Sequence, residues 1–536
     1  MKSIRPWELK LREWQLEAAR KVKEKYDRGE KDFLCVATPG AGKTIFALRV
    51  AHYLLSRQMI ERVVIICPTE HLKKQWAENA YAAGIDIDPE FENSKGKETN
   101  DFFGAVLTYA QVGREPKVHK RNCDRKKTFV VFDEIHHLGE ELSWGESIRK
   151  AFENSSYRLA ISGTPFRRDN NPIPFVNYVN SQSVADFVYG YTEALFDKVC
   201  RPVFFPAYQG EMEWRVKDKI YKATFSDNID RSHASERLRT ALDADGKWLR
   251  TVLTDAEKKL SEIRNRRPEA GGLLIAIDQK HARLCSKLLH EITGRKPAVV
   301  VSDDPKASKK IKEFSNSSER WLIAVKMVSE GVDIPRLCVG VYATNIKSEL
   351  FFRQAVGRFV RQQKNYLDQD AYIYIPKDIV LVDFAKEIEV ERDHYINKKD
   401  YLQNMISTDS LLKPTKNEEH ESTFEAINSV ATGKVQLELD FGKEFSLPDN
   451  LNKKFNRKEK VIQKKPEEIP VYLQIEKLKG DIKVIARDVA IKTKEESGWI
   501  DWNLPHKKWI KLGGKPIEQE TIKELLKRKT WLLEQL

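Results

Sequence analysis

The stretch ATPGAGKT, Ala37 to Thr44, constrains the architecture of this chain more than any other. Ahead of it stands Asp32 to Val36 (DFLCV), a short apolar run of strand type; behind it the apolar-periodic run IFALRVAHYLL reads as a helix. Thr38, Pro39, Gly40, Ala41 and Gly42 form the loop between them, and its glycines let backbone N–H groups turn inward around an anion. Lys43 then directs a cation at the phosphates, Thr44 offers a hydroxyl to Mg²⁺, and the helix presents its positive end. Strand, loop and helix in this order belong to a parallel α/β sheet. Ala37 stands where the usual pattern has its first glycine, so the loop needs a second signal beside it.

That signal is TFVVFDEIHHLG, Thr128 to Gly139. Four apolar residues in a row describe a buried parallel strand ending in two adjacent carboxylates. On this reading Asp133 holds Mg²⁺ and Glu134 orients and deprotonates an attacking water; the plainer alternative is a strand followed by an acidic turn. Far downstream lies QAVGRFVR, Gln354 to Arg361. Its Arg358 and Arg361, three apart, share one helix face, as a solvated basic stripe or as arginine fingers on leaving phosphates.

With these pieces in order, the chain resembles a superfamily-two helicase or translocase of the DExH type, in the restriction-type (ResIII) and DNA-repair branch, over roughly its first 395 residues, the motif being DEIH at Asp133 to His136. LREWQ at Leu11 to Gln15 resembles the Q motif, which implies that Arg12 and Gln15 serve the nucleotide and that Gln15 reads the adenine edge. CPTEHLKKQW (Cys67 to Trp76) and LTYAQV (Leu107 to Val112) resemble motifs Ia and Ib, which implies that Thr69 and Thr108 touch a nucleic-acid backbone. SGTPFRRD at Ser162 to Asp169 resembles motif III, and VKMVSEGVDIP at Val325 to Pro335 resembles motif V. The resemblance puts Gly331 and Asp333 near the ribose and Ser329 near a strand phosphate. QAVGRFVR resembles motif VI, and His136 is then expected to hydrogen-bond Gln354 and link hydrolysis to domain closure. His137 has no comparable assignment.

The implied fold is α/β: two RecA-like, doubly wound parallel-sheet lobes in tandem, a helical connector and a small, mainly helical, basic C-terminal domain. Residues 1–205 form the first lobe, with strands at FLCVATP, VVIICPT, AVLTYA, FVVFDE and RLAISGTP. Residues 206–267 read as a helical connector or insertion, and 268–396 as the second lobe, with GGLLIAI, AVVVSD, WLIAVK, CVGVYAT and AYIYIP as its strands. The second lobe lacks a phosphate loop of its own, so one ATP site is expected. Residues 397–470 read as a partly flexible linker and 471–536 as the accessory domain. There Trp499, Trp502 and Trp509 stand near Lys507 and Lys508, and an amphipathic helix is expected to turn Ile522, Leu525, Leu526, Leu532, Leu533 and Leu536 inward. The tryptophans either form its core or stack on a strand.

Composition is compatible. No apolar stretch approaches the ~20 residues of a membrane span, the start MKSIRPWELK carries no secretory segment, and six scattered cysteines without a CxxC pair suit a reduced cytoplasmic protein. The net charge of +13 favours a polyanion, and residues 451–536 hold 21 Lys/Arg against 13 Asp/Glu. The expectation is an ATP- and Mg²⁺-dependent motor on nucleic acid, with DNA preferred over RNA on the wording of LREWQ, EGVDIP and RQAVGR. No nuclease constellation accompanies it, and a protein partner would bind through the C-terminal region. Two rival readings stay open: the motor subunit of a defence or restriction complex that delivers a separate effector, and an ATP-gated clamp that does not unwind.

Overall fold

The computed structural model describes residues 3–139, 142–163, 173–179, 182–301, 304, 307–325, 334–363, 366, 369–396, 424–436, 469–497 and 500–536. In the first lobe, α1 (Glu13–Asp27) precedes β1 (Asp32–Ala37), α2 (Lys43–Ser56), β2 (Arg62–Cys67) and α3 (Glu70–Ala82). Then come β3 (Gly104–Thr108), α4 (Tyr109–Arg114), α5 (Pro116–Arg125), β4 (Thr128–Asp133), α6 (Leu142–Phe152) and β5 (Tyr157–Ser162). A small antiparallel ribbon, β6 (Tyr178–Val179) with β7 (Gln182–Ser183), leads to β8 (Phe187–Tyr189) and α7 (Tyr191–Phe196). The sheet is parallel throughout, in the order β3-β2-β4-β5-β1-β8. Every residue of β2 and β4 is buried, because helices cover both faces. That double cover is why these strands are unbroken apolar runs in the sequence.

The second sheet is built from β9 (Val203–Phe204), β10 (Pro206–Val216), β11 (Lys219–Thr224), β12 (Gly271–Ala276), β13 (Ala298–Val300), β14 (Trp321–Val325), β15 (Leu337–Ala343), β16 (Ala371–Pro376) and β17 (Phe424–Gln436). Its parallel body runs β16-β15-β12-β14-β13. These are the five strands read from the sequence, and with the first sheet they form tandem RecA-like lobes. Helices α8 (Arg231–Ala241), α9 (Lys247–Arg264), α10 (Gln279–Thr293), α11 (Ala307–Ser315), α12 (Glu349–Val356) and α13 (Ile379–Ile396) accompany it.

The structure departs from the sequence reading at 206–267. This stretch opens as two strands, and it belongs to the second lobe. β10 pairs with β16 at Ala207 and Tyr208, with β11 in a hairpin, and with β17 from Pro206 to Val216. Met212, Trp214, Trp248, Leu249 and Leu253 are buried in one cluster with Leu274 and Ile323 of the parallel body. Alternation of apolar and charged residues in EMEWRV gives β10 one buried and one open face, in keeping with an extended reading of Arg201 to Val216, and the helical reading holds for α8 and α9 but not for β11. Of the stretch read as a linker, residues 424–436 form β17; 397–423 and 437–468 lie outside the described residues.

The C-terminal unit comprises α14 (Val471–Ser497), α15 (Leu504–Lys511) and α16 (Ile522–Leu533) around Ile482, Ala486, Val489, Leu525 and Leu532. Its core is narrower than the sequence pattern suggests: Leu526, Leu533 and Leu536 are exposed, while Arg528 is buried on Glu520 at 3.2 Å. The unit docks on the first lobe, where Tyr472 packs with Ala77 and Phe102 and the Ile522 N–H donates to Asp101 at 3.1 Å. Among the described residues no helix is long and apolar enough to cross a membrane.

Candidate nucleotide site

The site lies at the carboxyl ends of three neighbouring strands, β1, β5 and β4, where open α/β sheets place their ligands. From β1 the chain turns through Thr38 to Gly42 into α2. Gly40 has φ +82°, and a Cβ there would stand 3.2 Å from Cγ of Arg361, so the loop leaves room for the arginine stem of the other lobe. Lys43 Nζ sits 3.1 Å from Glu134 Oε1 and donates to the carbonyl of Ala37 at 3.2 Å. Thr44 follows it in the first turn of α2.

Three side chains of the LREWQ segment hold this loop from behind. Arg12 donates to the carbonyls of Gly40 and Ala41, Trp14 Nε1 to that of Ala41 at 3.2 Å, and Gln15 Nε2 to that of Gly42 at 2.9 Å. Gln15 Oε1 also accepts the Arg12 N–H at 2.8 Å. The Gln15 amide is thus engaged with the loop backbone. Trp14, stacked on Tyr189 with ring centroids 5.0 Å apart, is a member of this brace that pattern reading passed over.

At the end of β4, Asp133 and Glu134 stand side by side. Burial raises the Asp133 pKa, and the neighbouring Glu134 charge raises it further, against the Trp76 indole N–H that donates to Oδ2 at 2.8 Å. Burial would raise Glu134 too, but the Lys43 ammonium, with His136 and the Gly163 N–H, outweighs it and holds this carboxylate low. Gly163 N–H reaches Glu134 Oε2 at 3.0 Å, so the end of β5 helps to fix it. Glu134 also has φ +49°, a strained conformation for a non-glycine residue, held by these contacts. A buried carboxylate beside a half-buried one, facing an ammonium and a helix N-terminus, fits a phosphate chain with a divalent cation, which Thr44 and Asp133 could hold between them.

The second lobe meets the site through α12 and the turn after it. Gln354 Nε2 donates to His136 Nε2 at 3.1 Å, which leaves Nδ1 as the protonated nitrogen, 3.1 Å from Ser162 Oγ and 3.5 Å from Glu134 Oε2. His137 is buried beside His136, ring centroids 4.6 Å apart. Gly357 lies against the loop: a Cβ there would come within 2.6 Å of Pro39. Arg358 follows it, half-buried, and Arg361 pairs through its backbone with Cys200. Burial lowers the Arg361 pKa to about 10, which leaves it cationic at neutral pH.

Arg201 supports this arrangement and carries no sequence signal. It is fully buried and donates to the carbonyls of Phe359, Pro335 and Leu337, while its own N–H donates to Val360 at 2.7 Å. The segment joining the lobes therefore fastens the turn that carries Arg358 and Arg361.

The residues expected on a strand fare unequally. Thr69 stands at the N-cap position of α3, half-buried and without a side-chain capping bond. Thr108 is 4% exposed and its hydroxyl oxygen accepts the Gln111 N–H at 3.1 Å as the cap of α4, so its burial follows from a capping role and removes it from the surface. Ser329, Gly331 and Asp333 lie outside the described residues.

Residues 8–167 match the family described as type III restriction enzyme, res subunit. An uncharacterised protein of Mycobacterium tuberculosis is 46% identical over 394 residues, 72% of this chain and 65% of that protein, so the chain spans about two thirds of its relative's length. The DNA 3'-5' translocase XPB2 of Sulfurisphaera tokodaii is 25% identical over 375 residues, 66% of this chain and 79% of the translocase. Among solved structures, the fragment of a candidate HsdR subunit of a type I restriction enzyme from Vibrio vulnificus YJ016 has the same fold, with TM-score 0.51 at 18% identity over 71% of this chain and 66% of that one. Residues 8–167 thus resemble the res subunit of type III restriction enzymes, and over about two thirds of its length the chain is similar to relatives that include a DNA translocase.

Proposed function

We propose that this chain hydrolyses ATP at the junction of its two lobes and uses the resulting opening and closing to move along DNA. The observation that carries the reading is the contact across that junction: Gln354 on His136, Gly357 on Pro39, and Arg361 over Gly40. Mg-bound ATP supplies the phosphoanhydride whose cleavage drives the cycle.

The chain's own residues divide the work. Backbone N–H groups of Gly40 and Gly42 with the Lys43 ammonium would bind the phosphates, and Thr44 with Asp133 would hold the cation. Glu134, kept ionised by Lys43 and oriented by the Gly163 N–H, positions and deprotonates the attacking water. Arg358 and Arg361 stabilise charge that develops on the phosphates, so full activity needs both lobes in contact. His136 couples the two events, because its Nδ1 touches Glu134 and its Nε2 holds Gln354. Arg12 and Gln15 stiffen the loop; by family resemblance they are assigned to the base, and Gly331 and Asp333 to the ribose. Thr69 and Ser329 are the proposed contacts to a strand backbone, which makes movement tolerant of sequence.

We take the motor to be a first lobe up to about Lys198, a second lobe from Val203 to Ile396 completed by β17, and the C-terminal unit from Val471. DNA as the track rests on the relatives. ATP turnover measured with no polymer, single-stranded DNA, duplex DNA and RNA tests the reading: stimulation by DNA, abolished by Lys43→Ala, supports it, and turnover indifferent to any polymer contradicts it. Triplex displacement beside strand displacement separates translocation on duplex from unwinding.

A further inference from the structure

The C-terminal unit contains a cleft of about 310 Å³ lined by Lys483, Ala486, Arg487, Trp502 and His506. It carries two cations, an indole and an imidazole, and no carboxylate. Lys483 and Arg487 are four residues apart on α14, on one face of the helix, where like charges repel. Their neighbours are neutralised: Lys479 by Glu518 at 2.5 Å, Lys529 by Asp481 at 2.6 Å, and Lys507 by Asp501 at 3.0 Å. Among the described residues Lys483 and Arg487 have no carboxylate partner. The Arg487 guanidinium instead lies 5.6 Å from the ring centroid of Trp502, an indole that is 49% exposed although Trp509 in the same unit packs on Trp531. His506 Nδ1 accepts from the buried Arg528 at 2.6 Å, so Nε2 bears the proton and can donate to an incoming group. Burial, Arg528 and Lys483 all disfavour a charged imidazole, which marks a positive local potential.

A half-open aromatic face ringed by unpaired cations suits a ligand that alternates flat rings with negative charge. We propose that this cleft binds single-stranded nucleic acid, with one base stacked on Trp502 and the adjoining phosphates held by Lys483, Arg487 and the His506 N–H. The unit rides on the first lobe through Tyr472, whose hydroxyl donates to Glu78 of α3 at 3.4 Å, and through Asp101. The cleft is therefore a second grip that moves with that lobe. It takes its ligand class from the motor reading, but its residues are separate from the nucleotide site.

The test is binding of a fluorescein-labelled single-stranded DNA oligonucleotide to the full chain, without ATP, by anisotropy. Trp502→Ala weakens binding about 10-fold while Trp502→Phe, which keeps a stacking face, stays within about 3-fold of wild type. Lys483→Glu with Arg487→Glu flattens the dependence of log Kd on log salt by about 1.4, two phosphate contacts' worth. Circular dichroism melts equal to wild type certify each variant. Unchanged affinity in Trp502→Ala overturns the proposal, as does equal loss in Trp502→Ala and Trp502→Phe. Displacement by AMP at equal nucleotide concentration, or by polyglutamate at equal charge, also overturns it, in favour of a mononucleotide or an acidic protein. ATP turnover of the wild-type chain with and without DNA keeps the two readings apart: strand binding that depends on Trp502 while turnover ignores DNA leaves the grip standing without the motor, and the converse removes the grip alone.

Discussion

At the scale of residues, the site is a chain of short contacts from one lobe to the other: Lys43 to Glu134, Glu134 to His136, His136 to Gln354. Each member fixes the protonation of the next. The ammonium keeps Glu134 ionised, and a donated N–H from Gln354 keeps the His136 proton on Nδ1, facing the carboxylate. Replacing Glu134 by Gln removes the acceptor and preserves shape. Glu134→Gln is therefore expected to lower kcat by about 10³-fold, the usual size of a lost general base, with ATP still bound; single-turnover kinetics beside equilibrium binding of nucleotide would check both halves. The sequence exposed these ionisable groups because phosphate chemistry needs them at the ends of apolar strands. It did not expose Trp76, whose indole holds Asp133, or Arg201, since a buried donor aimed at a distant carboxylate or at backbone carbonyls leaves no spacing to read.

At the scale of elements, the strands that carry the site were legible and those that complete the sheets were not. β2, β3, β4, β12, β14 and β15 are buried throughout, so they are unbroken apolar runs. β8 has three residues and β9 two, too short for any period; β10 alternates between a buried and an open face and reads as extended, but its place in the second sheet leaves no local mark. β17 pairs with β10 across more than two hundred intervening positions, a partnership that local pattern cannot announce. In α16 helical spacing overstated the buried stripe, because Arg528 with Glu520 takes a core position and leaves Leu526 and Leu533 outside. The short joint around Cys200 and Arg201 has the largest mechanical consequence. Arg201→Met should strand the carbonyls of Phe359 and Leu337 in the core and cost about 3 kcal/mol of stability, read as a lower Tm, and should lower kcat more than it changes ATP affinity because the motif VI turn loosens. Equal Tm and equal kcat would remove the joint from the mechanism.

At the scale of the whole molecule, two lobes share one continuous apolar cluster, running from Cys35 and Val131 through Cys200, Val203 and Phe205 to Leu273 and Tyr342. The packed junction allows a small rearrangement at the nucleotide to become a rigid-body movement of one lobe against the other. The C-terminal unit, fastened to α3, would be carried along with the first lobe. All of this depends on a guanidinium of the second lobe acting on phosphates held by the first. Arg361 is the residue to test, because its stem already lies over Gly40 and it takes no part in the loop's own hydrogen bonds to Arg12, Trp14 and Gln15. The decisive measurement is kcat for ATP hydrolysis by Arg361→Ala, paired with its equilibrium affinity for ATP. The account predicts that affinity stays close to wild type while kcat falls about 10³-fold or more; an undiminished kcat would contradict it.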